Sequence, residues 1–130
     1  MITQKEEHMV RDAHFPAPSI KTPDELVDML KKNVGDFNLW REANPDVIIT
    51  MHGANFYKCD LRGANLRGTI LEKADFSFAR LNFADLTNAK LDGAIFVNAD
   101  LWHITADALT RDVITTKVML RLYEMKASWQ

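Results

Sequence analysis

Apolar side chains recur every five residues between Ala54 and His103, through ten consecutive units. Leu or Phe is central in every unit, and the residue two positions earlier is Ala except at Cys59 and Thr69. A helix cannot bury this pattern, because five helical steps rotate a side chain by about 140°. A strand cannot bury it either, because five strand steps reverse the face. The pattern therefore predicts a backbone that turns once in each unit and points every central residue inward.

The polar positions of the units favour such turns. Asn or Asp precedes the central residue in six units, at Asn55, Asp60, Asn65, Asp75, Asp85 and Asp100. Three units end in glycine, at Gly63, Gly68 and Gly93. Asn and Asp side chains bond nearby backbone groups, and glycine tolerates a positive φ. We therefore expect the corners of the backbone in the three outward residues of each unit.

A second period of twenty residues indicates how many units make one turn of the coil. The central residue is Phe only at Phe56, Phe76 and Phe96, and it is Leu in all other units. Four units per turn would place these three rings directly above one another. Neighbouring coils would then be joined by parallel backbone hydrogen bonds, about 4.8 Å apart. The sequence thus predicts a four-sided solenoid with twenty residues per coil.

The units resemble the pentapeptide repeat family, whose pattern is A(D/N)LXX, and residues 49–53 resemble a degenerate eleventh unit. The preceding stretch, FNLWREANPDVIITMHGANF, resembles the lead-in of many such arrays without its first Trp. The resemblance implies a mainly β protein, a right-handed quadrilateral parallel β-helix of two and a half to three coils. It implies no single function, since the family includes gyrase-protecting proteins, bacterial effectors and many members of unknown role.

The flanking segments divide the chain into four parts. We expect a flexible polar tail at 1–21, a capping helix at 22–44, the repeat at 45–104 and a second helix at 105–130. Thr22 begins the first helix with a capping-box pattern, and Gly35 is a point where that helix could kink or split. Both helices are expected to cap the solenoid, because its ends would otherwise expose unpaired backbone. The second helix is apolar over a wide surface, so a dimer contact is the alternative. Its apolar residues are Leu109, Val113, Leu120 and Tyr123 on one flank and Ile114, Val118, Leu122 and Met125 on another.

Composition excludes several classes of partner. The formal net charge of −2 gives no field for nucleic acid or for an anionic membrane, and no apolar run reaches spanning length. The polar start does not resemble a signal peptide, and a single cysteine is consistent with a reducing cytoplasm. We therefore expect a cytoplasmic protein, with secretion as an effector left open.

No reactive constellation is found in the sequence. Cys59 occupies an inward Ala position, which predicts a small core side chain and not a nucleophile. The four histidines do not have the spacing of metal ligands, and no glycine-rich loop is placed to bind phosphate. We therefore expect no catalytic residue, no metal and no cofactor, and hence no enzyme.

The outward apolar residues fall on two adjacent sides of the predicted solenoid. The candidate protein-binding residues are Tyr57, Phe78, Phe83, Ile95, Val97 and Trp102. Such a surface is usually covered, here by the chain's own helices, by a second copy or by a different protein. The favoured hypothesis is a non-enzymatic protein–protein interaction module, such as a bacterial effector or regulator. The alternative is a DNA-mimicking modulator of DNA gyrase or topoisomerase, although the repeat carries six basic and six acidic residues and is neutral.

Overall fold

The structure, a computed structural model, describes residues 21–128, with side chains to residue 118. Three helices flank the repeat: α1 (Pro23–Lys32), α2 (Val34–Ala43) and α3 (Ala108–Ser128). The expected tail at 1–21 lies outside the described residues except for its last residue. The capping box at Thr22 is present, because its side chain accepts from the backbone N–H of Glu25 and the Glu25 carboxylate accepts in return.

The single helix expected at 22–44 is divided in two, which corrects the sequence-based prediction. The division falls at Asn33, which has an extended backbone (φ −157°, ψ 106°), and not at Gly35, which lies inside α2. The Asn33 side chain accepts from the N–H of Asp36 at 3.0 Å and so caps the N-terminus of α2. A capping residue, and not the flexibility of glycine, therefore ends α1 and begins α2.

The repeat forms coils of twenty residues, as its second period predicts. Eight parallel bridges each join a residue to the one twenty positions later, from Thr50 with Ile70 to Asp85 with Thr105. The first of these bridges confirms residues 49–53 as an eleventh unit. Within the described residues the repeat contains isolated bridges and no longer strand, because each side of a coil pairs through one residue before the next turn. The bridged region, 50–105, makes nearly three coils.

Each unit turns in the same way. The N–H of each following Ala-position residue donates to the carbonyl of the central residue, as from Cys59 to Phe56 at 3.0 Å. The last residue of all eleven units from 49 to 103 has a positive φ, between 54° and 75°. A positive φ at the third residue only is the geometry of a type II turn. All six Asn and Asp residues singled out in the sequence accept from the N–H two residues later, at 2.9–3.3 Å.

The core is a column of central side chains inside the coils. Phe56 and Phe76 stack with ring centroids 5.3 Å apart, and Phe76 and Phe96 stack at 5.1 Å. The planes of these pairs differ by 16° and 9°. All three rings are buried, together with the central leucines of the first two coils. The stack of one Phe per coil, which the twenty-residue spacing predicts, is confirmed.

The helix α2 completes the lower edge of the first coil. The Asn38 amide donates to the carbonyl of Gly63 at 3.0 Å and accepts from the N–H of Asn65 at 2.8 Å. Arg41 donates to the carbonyl of Asn65 at 2.8 Å. These are backbone groups that a further coil would otherwise pair. Four apolar residues of the two helices are buried against the repeat: Leu26, Leu30, Phe37 and Trp40.

The helix α3 begins against the upper coil. Asp107 precedes it and accepts from the N–H of Asn88 at 2.8 Å and from the N–H and hydroxyl of Thr110. Ile114 is buried, and Val113 and Val118 pack against the core. Leu109, expected on the apolar surface of this helix, is 72% exposed. The apolar residues expected at positions 120, 122, 123 and 125 lie beyond the described side chains.

Candidate protein-binding surface

The predicted surface residues lie on two adjacent sides of the solenoid. The bridges place 54–58, 74–78 and 94–98 on one side, and 59–63, 79–83 and 99–103 on the next. Five of the six candidates are exposed by 44–69% and Val97 is half-buried; the exposed ones are Tyr57, Phe78, Phe83, Ile95 and Trp102. These five are therefore only partly covered, and Phe83 and Trp102 are the most exposed.

Three rings form a stack on the second side. Phe83 and His103 are nearly parallel, with centroids 5.1 Å apart and planes within 9°. Trp102 stacks on His103, also at 5.1 Å, with planes at 23°. Phe83 is 66% exposed and Trp102 is 69% exposed. We call Phe83, Trp102 and His103 the aromatic stack.

A smaller aromatic pair occupies the neighbouring side. Tyr57 and Phe78 meet edge to face, with centroids 5.8 Å apart and planes at 80°. The ammonium of Lys58 lies 5.3 Å from the centre of the Tyr57 ring, within the range of a cation–π contact. Tyr57 and Phe78 are each 46% exposed. Exposed aromatic residues therefore lie on both of these adjacent sides.

Three of these aromatic side chains stand on strained backbone. Phe78, Phe83 and His103 have φ of 61°, 64° and 58°, whereas Gly occupies the equivalent position in four other units. A positive φ is rare for a bulky side chain and costs about 1–2 kcal/mol. Glycine would adopt this turn conformation without strain. The same conformation occurs at Lys58, Lys73, Asn88 and Asn98, so it is a property of the repeat's turn and does not by itself distinguish these three residues.

A shallow groove runs beside the aromatic stack and has a volume of about 680 Å³. One wall is the junction of α1 and α2, from Lys31 to Val34, and the other is Phe83. Gly63, one coil below Phe83, lies between them. A Cβ atom built at Gly63 would meet no atom within 4 Å. The groove is thus open at the level where the aromatic stack ends.

The charges of the groove are predominantly positive. Lys31, Lys32 and Arg62 line it, together with a single carboxylate, Asp60. Arg62 holds that carboxylate by two hydrogen bonds of 2.8 Å and 2.7 Å. These bonds lower the pKa of Asp60 to about 2, so it stays ionised and paired at neutral pH. The residues that the structure describes place no carboxylate within ion-pair distance of Lys31 or Lys32.

Asp60, Arg80 and Asp100 occupy the same position on successive coils. The ion pair of Asp60, however, is made with Arg62 of its own unit, and Arg80 makes only a smaller contribution to lowering the pKa of Asp60. An ion pair between coils is formed by Arg67 and Asp85, at 3.1 Å.

The described residues offer little for chemistry. Cys59 packs against the core, and burial raises the pKa of its thiol, which leaves it a poor nucleophile. Among the described side chains, residues 21–118, no three His, Cys, Asp or Glu groups gather as a metal site would require. Over residues 21–128, none of the helices combines the length and apolar character needed to cross a bilayer.

The model of the family described as pentapeptide repeats matches in eight copies, over residues 51–88 and 69–102. Through these residues the chain belongs to the pentapeptide repeat family. A solved pentapeptide repeat protein, Rfr23 from the cyanobacterium Cyanothece 51142, is 25% identical with a TM-score of 0.23. That match covers 46% of this chain and 58% of Rfr23. A comparison with curated proteins finds no match.

Sequence reasoning placed the aromatic residues of this pentapeptide repeat protein on their sides but missed two parts of the surface. His103 was considered only as a metal ligand, although its position twenty after Phe83 could have indicated the stack. The contribution of Lys31 and Lys32 had no signal in the repeat, because the docking of α1 and α2 brings them to the groove.

Proposed function

We propose that this pentapeptide repeat protein is a non-enzymatic protein–protein interaction module of the bacterial effector or regulator type. Its binding surface comprises the aromatic stack and the Tyr57–Phe78 pair, presented on adjacent sides of a right-handed quadrilateral β-helix. The partner is a second protein, with a second copy of this chain as the alternative. The observation that carries the proposal is the concentration of exposed aromatic side chains on these two adjacent sides.

The exposure of Phe83 supports a functional role, because neither the turn nor the core requires its ring. Glycine at position 83 would suit the turn, and the Phe83 side chain contributes little to the core because it is 66% exposed. Aromatic side chains are also the residues that dominate the binding energy of protein interfaces.

The placement of the exposed aromatic residues supports the same proposal. Phe83 and Trp102 lie on one side, and Tyr57 and Phe78 lie on the adjacent side. Exposed apolar residues concentrated in this way usually mark a place where another protein binds. Aromatic residues scattered singly over all four sides would not have this meaning.

The test compares the association of three forms of the protein. Light scattering after size-exclusion chromatography reports self-association of the 14.9 kDa chain, and affinity capture from its own cells reports other partners. We expect Phe83→Ala/Trp102→Ala to lose the association while the far-UV circular dichroism is unchanged. The matched control, Lys73→Ala/Lys90→Ala on a different side, should keep it. Equal association of all three forms, or no association of the wild type, would refute the proposal.

A further inference from the structure

We propose that the groove between the α1–α2 junction and Phe83 binds an extended acidic segment of the partner. An aromatic or other apolar side chain of that segment lies over Gly63 and against the Phe83 ring. Its carboxylates face Lys31, Lys32 and Arg62. This inference rests on the proposed function and adds to it the chemistry of the partner.

The apolar half of the site follows from one column of the solenoid. Gly63, Phe83 and His103 occupy the same position in three successive coils, as the bridges of period twenty require. One face of the Phe83 ring is covered by His103, which lies one coil above it. The opposite face is therefore on the Gly63 side of this column, and a Cβ atom built at Gly63 meets no atom within 4 Å. One flat apolar anchor would continue the stack.

The polar half follows from the unbalanced charge. The groove has three cationic side chains and one carboxylate, and Arg62 already neutralises that carboxylate. A partner of opposite charge would associate faster and in a defined orientation. A glutamate- or aspartate-rich segment supplies that charge.

The arrangement favours a peptide over single-stranded nucleic acid. Nucleic acid binding uses successive open ring faces along a basic track. Here the rings of Phe83, His103 and Trp102 stack on one another, which occupies their facing surfaces and leaves one ring face beside the groove. A single apolar anchor between carboxylates matches this geometry, whereas a row of bases does not.

The experiment is a ¹⁵N–¹H NMR titration of the full chain to millimolar probe concentration. The probe is a capped peptide in which glutamates flank a phenylalanine. Control probes replace the glutamates with glutamine or the phenylalanine with alanine, and oligothymidylate tests nucleic acid. We expect the acidic probe to shift the amides of Gly63 and Phe83 and to leave those of Gly68 and Gly93 in place.

Substitutions test separately the contribution of the groove's positive charges and that of the Phe83 ring. Lys31→Gln/Lys32→Gln should weaken binding of the acidic probe by about threefold to tenfold, as expected for two exposed charges. The matched pair Lys73→Gln/Lys90→Gln removes the same charge from another side and should leave binding unchanged. Phe83→Ala should abolish the preference for phenylalanine over alanine in the probe.

Three results would overturn the inference. They are equal binding of the glutamate and glutamine probes, stronger binding of oligothymidylate, and no shift with any probe. The proposed function can survive this failure. If Phe83→Ala/Trp102→Ala loses its partner while Lys31→Gln/Lys32→Gln keeps it, the interaction module stands and the acidic segment is wrong.

Discussion

The rings of Phe83 and His103 stack 5.1 Å apart on successive coils, and both residues have a left-handed backbone. The two facts have opposite energetic signs. Stacking stabilises an aromatic pair by about 0.5–1.5 kcal/mol, whereas a positive φ costs a non-glycine residue about 1–2 kcal/mol. The exposed pair therefore does little for folding, which is why we assign it to binding.

The strain at Phe83 can be measured by comparing two substitutions that both remove the ring. We expect Phe83→Gly to be more stable than Phe83→Ala by about 1 kcal/mol, because only glycine accepts the positive φ without strain. Urea unfolding followed by circular dichroism gives both free energies of unfolding. Glu72 is the control, since its turn position is not among those with a positive φ. There the alanine variant should be the more stable, and the same order at both positions would contradict the prediction.

The middle ring of the core stack should be the most sensitive. Phe76 is fully buried and packs between Phe56 and Phe96, so we expect Phe76→Ala to cost about 3–5 kcal/mol. Phe76→Leu should cost only about 1 kcal/mol, because Leu fills the central position of most other units and the main loss is ring stacking. Chemical denaturation checks both values. If both variants lost the same free energy of unfolding, ring stacking, and not the volume of the side chain, would be the main contribution of Phe76.

The repeat could be predicted from sequence because its information is local and periodic. Each unit carries its own inward pair and turn residues, and the three phenylalanines report the number of units per coil. The bridge between Asp60 and Arg80 was predictable for the same reason. No long-range docking had to be known to place a residue of the repeat on its side.

The flanks and the groove could not be predicted in the same way. The break at Asn33 depends on a side chain that caps α2, while the sequence also offers Gly35 as a break point. The groove depends on how two helices dock against the first coil, and Lys31 has no periodic relation to Phe83. The sequence therefore predicted the aromatic residues of the candidate site but not its charged residues.

Asn38 should be a key residue of the N-terminal cap. Its amide satisfies the Gly63 carbonyl and the Asn65 N–H, so Asn38→Ala leaves both edge groups without these partners. We expect a loss of about 1–2 kcal/mol in the free energy of unfolding. Hydrogen exchange at the Asn65 amide should also be faster. Glu42→Ala, an exposed change on the same helix, is the control and should leave that amide unchanged; equal exchange in both variants would exclude the capping role.

DNA gyrase offers a test of the alternative function. The repeat has six basic and six acidic residues, and nearly three coils at about 4.8 Å each make a rod only about 14 Å tall. Mimicry of duplex DNA requires a long surface of dominant negative charge. We therefore expect no inhibition or protection of purified gyrase in a supercoiling assay at micromolar protein. An effect at that concentration would favour the DNA-mimic hypothesis over the interaction module.

The stability that Asp107 contributes at the start of α3 should depend on pH. The backbone N–H of Asn88 and the hydroxyl of Thr110 lower the pKa of this carboxyl from 3.8 to about 2. Because the folded pKa is the lower one, the stabilising contribution is present above pH 4 and is lost as the pH falls toward 2. Asp107→Asn still accepts these hydrogen bonds but does not titrate, so its stability should fall less steeply with acid. Urea unfolding between pH 5 and pH 2 measures how steeply the stability of each protein changes with pH.

Asp60 titrates in the same range and is present in both proteins, so the difference between the slopes isolates Asp107. Identical slopes would show that Asp107 does not hold α3 by its charge.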